Sequence, residues 1–264
     1  MKDILDEIVA HKRIEVAGQK EQMPPRKLYA EVEQLMANGV TVRSLNQALA
    51  QDKCGIIAEF KRKSPSKGWI KEEGQPEVIP PAYEKAGAAG LSILTDERYF
   101  GGSMDFVRKV RPLVSLPILR KDFIIDEYQL FQARHIGADA VLLIAADLKK
   151  AEVRSLTAIA HDLQLEVLLE LHAERELDYA DIPVDAIGVN NRNLGTFVTD
   201  VQNSFRLAAR LPQDSVLVSE SGISNPDTIR LLREAGYRGF LIGETFMKTD
   251  NPGEALHQFI SHNS

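Results

Sequence analysis

Cysteine is almost absent from this 264-residue chain, since Cys54 is its only one. A single thiol excludes an intrachain disulfide, and neither Cys54 nor the six histidines show the spacing of a metal site. Long uncharged runs are also missing. The longest, residues 86–95, is far below the roughly 18 residues that a membrane span needs, and the N-terminus lacks the apolar run of a signal peptide. We therefore expect a soluble, cytoplasmic protein without a metal or other cofactor.

An excess of positive charge is missing too, because 32 Lys and Arg face 38 Asp and Glu, for a formal net charge of -6. This balance makes nucleic acid an unfavourable partner, since its phosphate backbone is bound mainly by cations. Apolar residues make up 44% of the chain. That share excludes general disorder and suffices for the core of a full-size domain.

What the chain does contain is a repeat of short β-rich runs, each followed by a loop and an amphipathic segment. The runs cover residues 56–60, 91–94, 117–120, 140–144, 166–170, 186–189, 215–219 and 239–242. Strands that are apolar nearly throughout and alternate with helices imply a parallel sheet covered on the outside. Eight such units favour a (β/α)8 barrel, although an open doubly wound sheet shares the same local pattern.

Caps and prolines predict where some helices begin and end. Asp126 and Gly137 are a suitable N-cap and C′ glycine for a helix over residues 127–136. Proline suits the first turn of a helix, so the first crossover helix is predicted to begin near Pro81.

Residues 1–50 lie outside the repeat. Apolar residues form one helical stripe there, namely Ile4, Leu5, Ile8, Val9 and Ile14. Thr41 is predicted to cap a short helix that follows it. We predict an N-terminal helical extension that packs on the barrel, so that residues 1–264 form a single (β/α)8 domain.

Charged and polar residues end several predicted strands, and this edge of a (β/α)8 barrel carries the active site. They are Glu59, Lys61, Lys121, Glu170, Asn190, Arg192 and Glu220. Salt bridges that close the barrel mouth could explain any one of them. Burial of the whole set is costly unless the charges are paired, which makes structure alone a poor explanation. Crowded lysines and glutamates in a partly desolvated mouth should have shifted pKa values, as acid–base catalysis requires.

Ser221 and Gly222 follow the seventh predicted strand, and Gly243 and Glu244 follow the eighth. In barrels, these two loops often bind phosphate, and helix N-terminal amides can hold the dianion. The simpler alternative is that both glycines only permit tight turns. Residues 63–68 after the first strand offer a basic loop that could close on the same anion, or only a solvated loop.

Apolar side chains near the same edge could bind an aromatic ring. Leu142 and Ile144 share a face of the fourth strand, while Phe100, Phe123 and Leu194 follow strands two, three and six. Ordinary barrel packing is the better explanation of Leu142 from the residues alone.

Several strings make the chain resemble the indole-3-glycerol phosphate synthase family. They are IAEFKRKSPSKG (57–68), SILTD (92–96), YFGGS (99–103), LRKDFIIDEY (119–128), GVNNRNL (188–194) and SESGI (219–223). They stand in the family's order, and the residues before the first strand are similar to the family's N-terminal helices.

The resemblance implies a metal-free lyase of tryptophan biosynthesis. Its substrate would be 1-(2-carboxyphenylamino)-1-deoxyribulose 5-phosphate, and its products indole-3-glycerol phosphate, CO2 and water. Lys121 would be the general acid of ring closure, and Glu170 a general base. Lys61 would contact the substrate carboxylate and join later proton transfer, while Glu59 assists dehydration. Substrate holding and lysine orientation would fall to Asn190, Arg192 and Glu220.

The resemblance also implies the binding residues. The phosphate would lie against Lys63, Ser64, Ser221, Gly222, Gly243 and Glu244, the last four mostly through backbone amides. The anthranilate ring would lie among Phe100, Phe123, Leu142, Ile144 and Leu194. The partner would be this small phosphorylated molecule, with no nucleic acid or membrane involved. We expect a monomer or weak oligomer and, because the chain ends soon after the eighth helix, no fused isomerase domain.

Three other functions remain open from the residues alone. Lys121 could form a Schiff base, as in aldolases. Phosphoribosylanthranilate isomerase, the neighbouring step, shares the barrel and phosphate site, but its chemistry does not need two lysines and three glutamates. A non-catalytic sensor of phosphorylated ligands would have no need of a competent side chain at every proposed catalytic position.

Overall fold

The computed structural model describes residues 4–193 and 195–262, and these residues form a closed barrel of eight parallel strands with helices outside it. The strands are β1 (Ile56–Phe60), β2 (Gly90–Leu94), β3 (Ile118–Lys121), β4 (Ala140–Ile144), β5 (Glu166–Leu171), β6 (Ala186–Asn190), β7 (Val216–Glu220) and β8 (Tyr237–Ile242). Each pairs with the next in chain order, and β1 closes the barrel by pairing with β8. The predicted (β/α)8 barrel is confirmed.

The helices of the described residues are α1 (Ile4–Gln22), α2 (Pro25–Ala37), α3 (Leu45–Gln51), α4 (Ile79–Ala86), α5 (Glu97–Phe100), α6 (Met104–Val110), α7 (Glu127–Ile136), α8 (Lys150–Asp162), α9 (Gln202–Ala208), α10 (Pro226–Glu234), α11 (Glu244–Met247) and α12 (Pro252–Ser261). Short 3-10 helices cover Arg111–Leu113 and Glu174–Asp181, and a small hairpin pairs Lys63–Ser64 with Gly68–Trp69. None of these helices is both long and apolar enough to cross a membrane.

The predicted ends of α7 are confirmed. The Asp126 side chain accepts a hydrogen bond from the Tyr128 amide at 2.9 Å, and Gly137 ends the helix in the left-handed region. Helix α4 starts at Ile79, two residues before Pro81. Pro80 and Pro81 both fit within its first turn, where a missing amide hydrogen costs no helical hydrogen bond.

Side-chain alternation along the strands divides the core into two layers. On β1, Ile57 joins a cluster inside the barrel, whereas Ile56 and Phe60 join the cluster between the sheet and the helices. Both faces of each strand are therefore buried, which explains why the strands are apolar nearly throughout. Toward the C-terminal ends of the strands, polar side chains line a cavity.

Helices α1 and α2 contact α7, and α3 contacts barrel strands. Two details predicted for these residues are wrong. Ile14 is 72% exposed, so the buried face of α1 runs through Leu5, Ile8, Lys12 and Val16. Ser44 caps α3 in place of Thr41, since its Oγ accepts from the Gln47 amide at 2.9 Å. An N-cap must immediately precede the first helical residue to reach that amide, and Thr41 lies too far upstream.

Candidate functional site

A cavity of about 580 Å³ opens at the C-terminal ends of the barrel strands, where the sequence places the candidate site. The predicted residues that line it are Glu59, Lys61, Phe100, Lys121, Phe123, Leu142, Ile144, Glu170, Asn190, Arg192, Glu220, Ser221, Gly222, Gly243 and Glu244. The fold therefore collects in one place residues that are spread over most of the chain.

Four charged side chains come from the odd-numbered strands, which in this fold contribute to the same layers of the interior. They are Glu59 on β1, Lys121 on β3, Glu170 on β5 and Glu220 on β7. The Lys121 Nζ lies 3.1 Å from Glu170 Oε2 and 3.7 Å from Glu220 Oε2. Both carboxylates are almost fully buried, so one ammonium group faces two carboxylates at the floor of the cavity.

The environment moves the pKa values of these two carboxylates in opposite directions. Burial raises the pKa of Glu220 well above its ordinary value, and the negative charge of Glu170 adds to this. Burial would also raise the pKa of Glu170, but the Lys121 ammonium and His172 outweigh it and hold that pKa well below the ordinary value. Burial would lower the pKa of Lys121, yet the same carboxylates raise it. Two neighbouring groups whose pKa values are shifted in opposite directions can serve as base and acid in one site.

A second lysine–glutamate pair lies beside this cluster, with Lys61 Nζ 2.5 Å from Glu59 Oε1. Room for the carboxylates comes from Gly243, directly after β8, and from Gly188 of β6. A Cβ at Gly243 would lie 2.3 Å from Glu59 Oε1, and a Cβ at Gly188 would lie 2.2 Å from Glu220 Oε1. Gly188 was not among the predicted site residues, because its role depends on a side chain 32 positions away in the chain.

Arg192 joins the two sides of the cavity mouth. Its Nη1 donates to Ser66 Oγ at 3.2 Å and its Nε donates to Thr199 Oγ1 at 3.2 Å. Its Nη2 lies 3.5 Å from Glu244 Oε2, at the start of α11. Lys67 approaches the other oxygen of Glu244 at 3.9 Å. The loop after β1 is therefore held over the cavity by polar contacts with β6 and α11.

The loops after β7 and β8 form the wall opposite the aromatic residues. Ser221 and Gly222 both have positive φ angles, of 69° and 77°, which is uncommon for a serine. Asn191 holds this turn by donating from Nδ2 to the Ser221 carbonyl at 3.0 Å. Thr245 Oγ1 donates to the Ile223 carbonyl at 2.9 Å and so ties the two loops together.

Two predicted binding residues, Lys63 and Ser64, are not part of this cavity lining. Lys63 Nζ donates to the Arg98 carbonyl at 3.1 Å and lies over the Trp69 ring, away from the cavity. Ser64 is buried in the same hairpin, where it pairs with Gly68. Leu194 lies outside the described residues. From the loop after β1, the cavity is lined instead by Pro65, Ser66 and Lys67.

The apolar wall combines predicted and unpredicted residues. Phe100 and Phe123 pack with their ring centroids 5.9 Å apart, next to the buried Leu142 and Ile144. Leu5, Ile8 and Ile4 of α1 also line the cavity. Their helical stripe was visible in the sequence, but no local signal shows where a helix docks. Among the described residues, no three His, Cys, Asp or Glu side chains are arranged to hold a metal ion.

Comparisons with solved structures support the fold. The chain is similar to the tryptophan synthase α subunit of Legionella pneumophila, with a TM-score of 0.56 and 14% identity over 89% of this chain and 96% of that one. It is also similar to a thiamine phosphate pyrophosphorylase of Pyrococcus furiosus, with a TM-score of 0.60 and 16% identity over 80% and 96%. At such identities the likeness concerns the barrel alone.

Sequence comparisons are more specific. The model of the indole-3-glycerol phosphate synthase family matches residues 5–259. A relative named indole-3-glycerol phosphate synthase from Bacteroides thetaiotaomicron is 61% identical over 260 residues, 98% of each chain. One of the same name from Bordetella pertussis is 43% identical over 99% of this chain and all of the other. Because these matches span nearly the whole chain and agree with the charged barrel mouth, the chain belongs to the indole-3-glycerol phosphate synthase family.

Proposed function

We propose that the protein is a carboxy-lyase that converts 1-(2-carboxyphenylamino)-1-deoxyribulose 5-phosphate to indole-3-glycerol phosphate, CO2 and water. Family membership supports the reaction class and its place in tryptophan biosynthesis. The observation that carries the proposal is the Lys121 ammonium beside the Glu170 and Glu220 carboxylates on the floor of the cavity. Such a set can both donate and accept protons without a metal.

In the ring-closing step, the aromatic carbon that bears the carboxylate attacks the ketone carbon of the ribulose chain. A C–C bond forms, and the ketone oxygen takes a proton to become a hydroxyl. We assign that proton to Lys121, because a developing oxyanion needs a nearby cation or acid. The carboxylate then leaves as CO2, and its bonding electrons restore the aromatic ring.

Dehydration completes the indole. The new hydroxyl leaves as water after it is protonated, and the adjacent ring carbon loses a proton to a base. We assign the base role to Glu170, whose pKa is held low, so that it is ionised at neutral pH. Glu59 assists at this stage, in contact with Lys61, which holds the substrate carboxylate until decarboxylation. Asn190, Arg192 and Glu220 hold the substrate and orient the lysines.

The substrate fits the cavity in one direction under this proposal. The anthranilate ring packs among Phe100, Phe123, Leu142 and Ile144, with Leu194 included on the family resemblance alone. The phosphate lies across the mouth at Ser221, Gly222, Gly243 and Glu244, close to Arg192 and Lys67. Lys63 and Ser64 stay in the phosphate site on the resemblance alone. We further propose that the protein acts in the cytoplasm as a monomer or weak oligomer.

The direct test is an assay with purified protein, the carboxyphenylamino-deoxyribulose phosphate and a chelator. The absorbance and fluorescence of the indole product report ring closure. Saturable turnover supports the proposal. Substrate binding by a folded protein without turnover refutes it and directs attention to phosphoribosylanthranilate isomerase activity. Borohydride trapping of a sugar phosphate on Lys121 would instead indicate Schiff-base chemistry.

The phosphate end has its own test, a comparison of Gly222→Asp with Gly222→Ala. A Cβ at this position would lie 2.6 Å from Thr199 Cγ2, so the alanine variant measures the strain alone. Inhibition by inorganic phosphate should weaken further in the aspartate variant, because a carboxylate then faces the dianion. Equal inhibition constants in the two variants would place the phosphate elsewhere.

A further inference from the structure

His172 lies directly after β5, two residues beyond Glu170, and has no role in the mechanism above. Its side chain is 90% buried, and its Nε2 lies 3.1 Å from Glu170 Oε1. The other oxygen of the same carboxylate faces Lys121. One oxygen of the proposed base therefore faces a lysine that lines the cavity, and the other faces an imidazole.

The position of His172 is fixed from two other elements. Glu176, in the 3-10 helix, accepts from the His172 amide at 2.6 Å, and its Oε2 lies 4.0 Å from the imidazole Nδ1. Asn203 of α9 donates from Nδ2 to the His172 carbonyl at 3.0 Å. These contacts set the backbone from which the ring reaches Glu170.

His172 lines a neighbouring cavity of about 810 Å³, which shares Leu5 and Asn190 with the first cavity. His172 is absent from the lining of the first. Neither ring nitrogen makes a well-aligned hydrogen bond with the described residues. A nearly buried imidazole without an aligned partner is unusual, because buried polar groups are normally satisfied. Catalytic hydrogen bonds often align only when the substrate is bound.

We propose that His172 is a positioning residue that donates from Nε2 to Glu170 Oε1 and so keeps the other carboxylate oxygen directed at Lys121 and the substrate. The proposal rests on the proposed role of Glu170 as general base. His172 does not touch the reacting atoms and acts only through this carboxylate.

The titratable groups around Glu170 show what loss of the imidazole would do. Lys121 approaches from β3, Glu220 from β7 and His172 from the end of β5, with Glu176 behind His172. The imidazole is one of the groups that lower the pKa of Glu170. Without it, Oε1 is buried without that donor, and the pKa of Glu170 should rise. The acidic limb of the pH profile should then move to higher pH.

Three variants separate positioning from mere packing. Glutamine places its amide nitrogen about as far along the side chain as the imidazole Nε2, whereas asparagine places its own at about the distance of Nδ1. His172→Leu fills the space without a donor. If the Nε2 donor is what matters, kcat stays near the wild-type value in His172→Gln and falls in His172→Asn and His172→Leu.

We expect kcat of His172→Leu to fall about ten- to a hundredfold, the worth of a hydrogen bond to a charged group, with KM within about threefold of wild type. The acidic limb of kcat/KM should move to higher pH, and His172→Gln should restore both quantities. Unchanged kcat and an unchanged pH profile in a folded His172→Leu would overturn the proposal. If that variant does not fold, equal kcat values in the glutamine and asparagine variants would overturn it.

A substrate-free readout separates this inference from the proposed function. The carboxyl carbon of Glu170, identified in 13C NMR spectra by its loss in Glu170→Gln, should titrate at higher pH in His172→Leu or His172→Asn than in wild type. An unchanged titration overturns the proposed contact. Absence of turnover in wild-type protein would instead refute the proposed function, whatever the titration shows.

Discussion

Two clusters of buried charge near the same end of the barrel differ in their surroundings. In the first, Lys121 faces Glu170 and Glu220 at the floor of the cavity. In the second, the fully buried Lys12 of α1 has its Nζ 2.9 Å from each of Glu15, Asp96 and Asp122. Arg120 completes the second cluster, with Nη2 2.9 Å from Asp122 Oδ2, Nε donating to Thr95 Oγ1 and Nη1 donating to the Gln129 carbonyl.

The clusters differ in how completely their charged groups are paired. Three carboxylates surround Lys12, and they join α1 to the loops after β2 and β3. Each cluster has one carboxylate oxygen without an aligned hydrogen bond among the described residues, Asp96 Oδ2 and Glu220 Oε1. Asp96 Oδ2 still lies 2.9 Å from Lys12 Nζ. In the Lys121 cluster, the ammonium approaches only the other oxygen of Glu220 and lies on the cavity wall. Buried charges that are fully paired hold a structure together, whereas incompletely paired ones beside a cavity can interact with a ligand. Lys121 and Asp122 are adjacent in the chain, so one strand end serves both clusters.

The largest expected effect is on turnover in Lys121→Met. Loss of the proposed general acid should reduce kcat by about a thousandfold, while binding of a phosphorylated ligand stays within about tenfold, because the proposed phosphate site lies across the mouth. The indole assay measures the first quantity and calorimetric titration the second. Lys109→Met, at an exposed ion pair with Glu77, is the control and should keep full activity. Substantial residual turnover would show that Lys121 is not the essential acid.

Lys12→Met should instead lower stability, because it disrupts the second cluster, which we call the structural cluster. Removal of one partner from a buried ion network costs about 3–5 kcal/mol of unfolding free energy, because Asp96 and Asp122 lose their shared cation. Urea denaturation measures this change. Lys27→Met removes only an exposed contact with Glu31 and should change stability by less than about 1 kcal/mol. Equal stability of the two variants would mean that the buried cluster contributes no net stability.

The structural cluster should also set the acid sensitivity of the fold. Burial would raise the pKa of Asp122, but Lys12 and Arg120 outweigh it and lower this pKa to about 2. The unfolded value is about 3.9, so the folded state favours the ionised form. This contribution, about 2–3 kcal/mol, is fully present above pH 4 and is lost as pH falls toward 2. In Asp122→Asn, the unfolding free energy should decline less steeply as pH falls through that window. An unchanged slope of unfolding free energy against pH would contradict the assignment.

The smallest change in unfolding free energy is expected from Glu220→Gln. This change should be a gain, whereas disruption of the structural cluster causes a loss. Because the folded state raises the pKa of Glu220, ionisation of this group disfavours the folded state at neutral pH. An amide removes the penalty, so the unfolding free energy at pH 7 should rise by about 1 kcal/mol, with a smaller gain at pH 4. Turnover should fall at the same time. A loss of stability at pH 7 would show that Glu220 is paired as fully as Asp122.

Short-range patterns predicted the strands well. All eight predicted strands agree with the structure to within two residues at each end, because β-branched runs and glycine breaks act over a few neighbouring residues. The charged strand ends were also recognised, since a charge at the end of an apolar run is visible locally. The direction of Lys63 was not predictable, because it depends on Trp69 and the Arg98 carbonyl.

Features that join distant parts of the chain were missed. The contact of Lys12 with Asp122 spans 110 positions, and neither residue carries a local sign of its partner. The docking of Leu5 and Ile8 over the cavity was missed for the same reason. The residues next to His172 in the sequence give no sign of a special role, and only the structure shows that it faces Glu170.

The sequence by itself determined the repeating strand–helix pattern, several helix ends and the chemical character of the barrel mouth, because each of these depends on neighbouring residues. Only the tertiary structure decided which charges pair with each other, which glycines make room for carboxylates and which helix covers the cavity. Barrel closure brings alternate strands into one layer, and this geometry gives each charge its neighbours, its burial and its pKa.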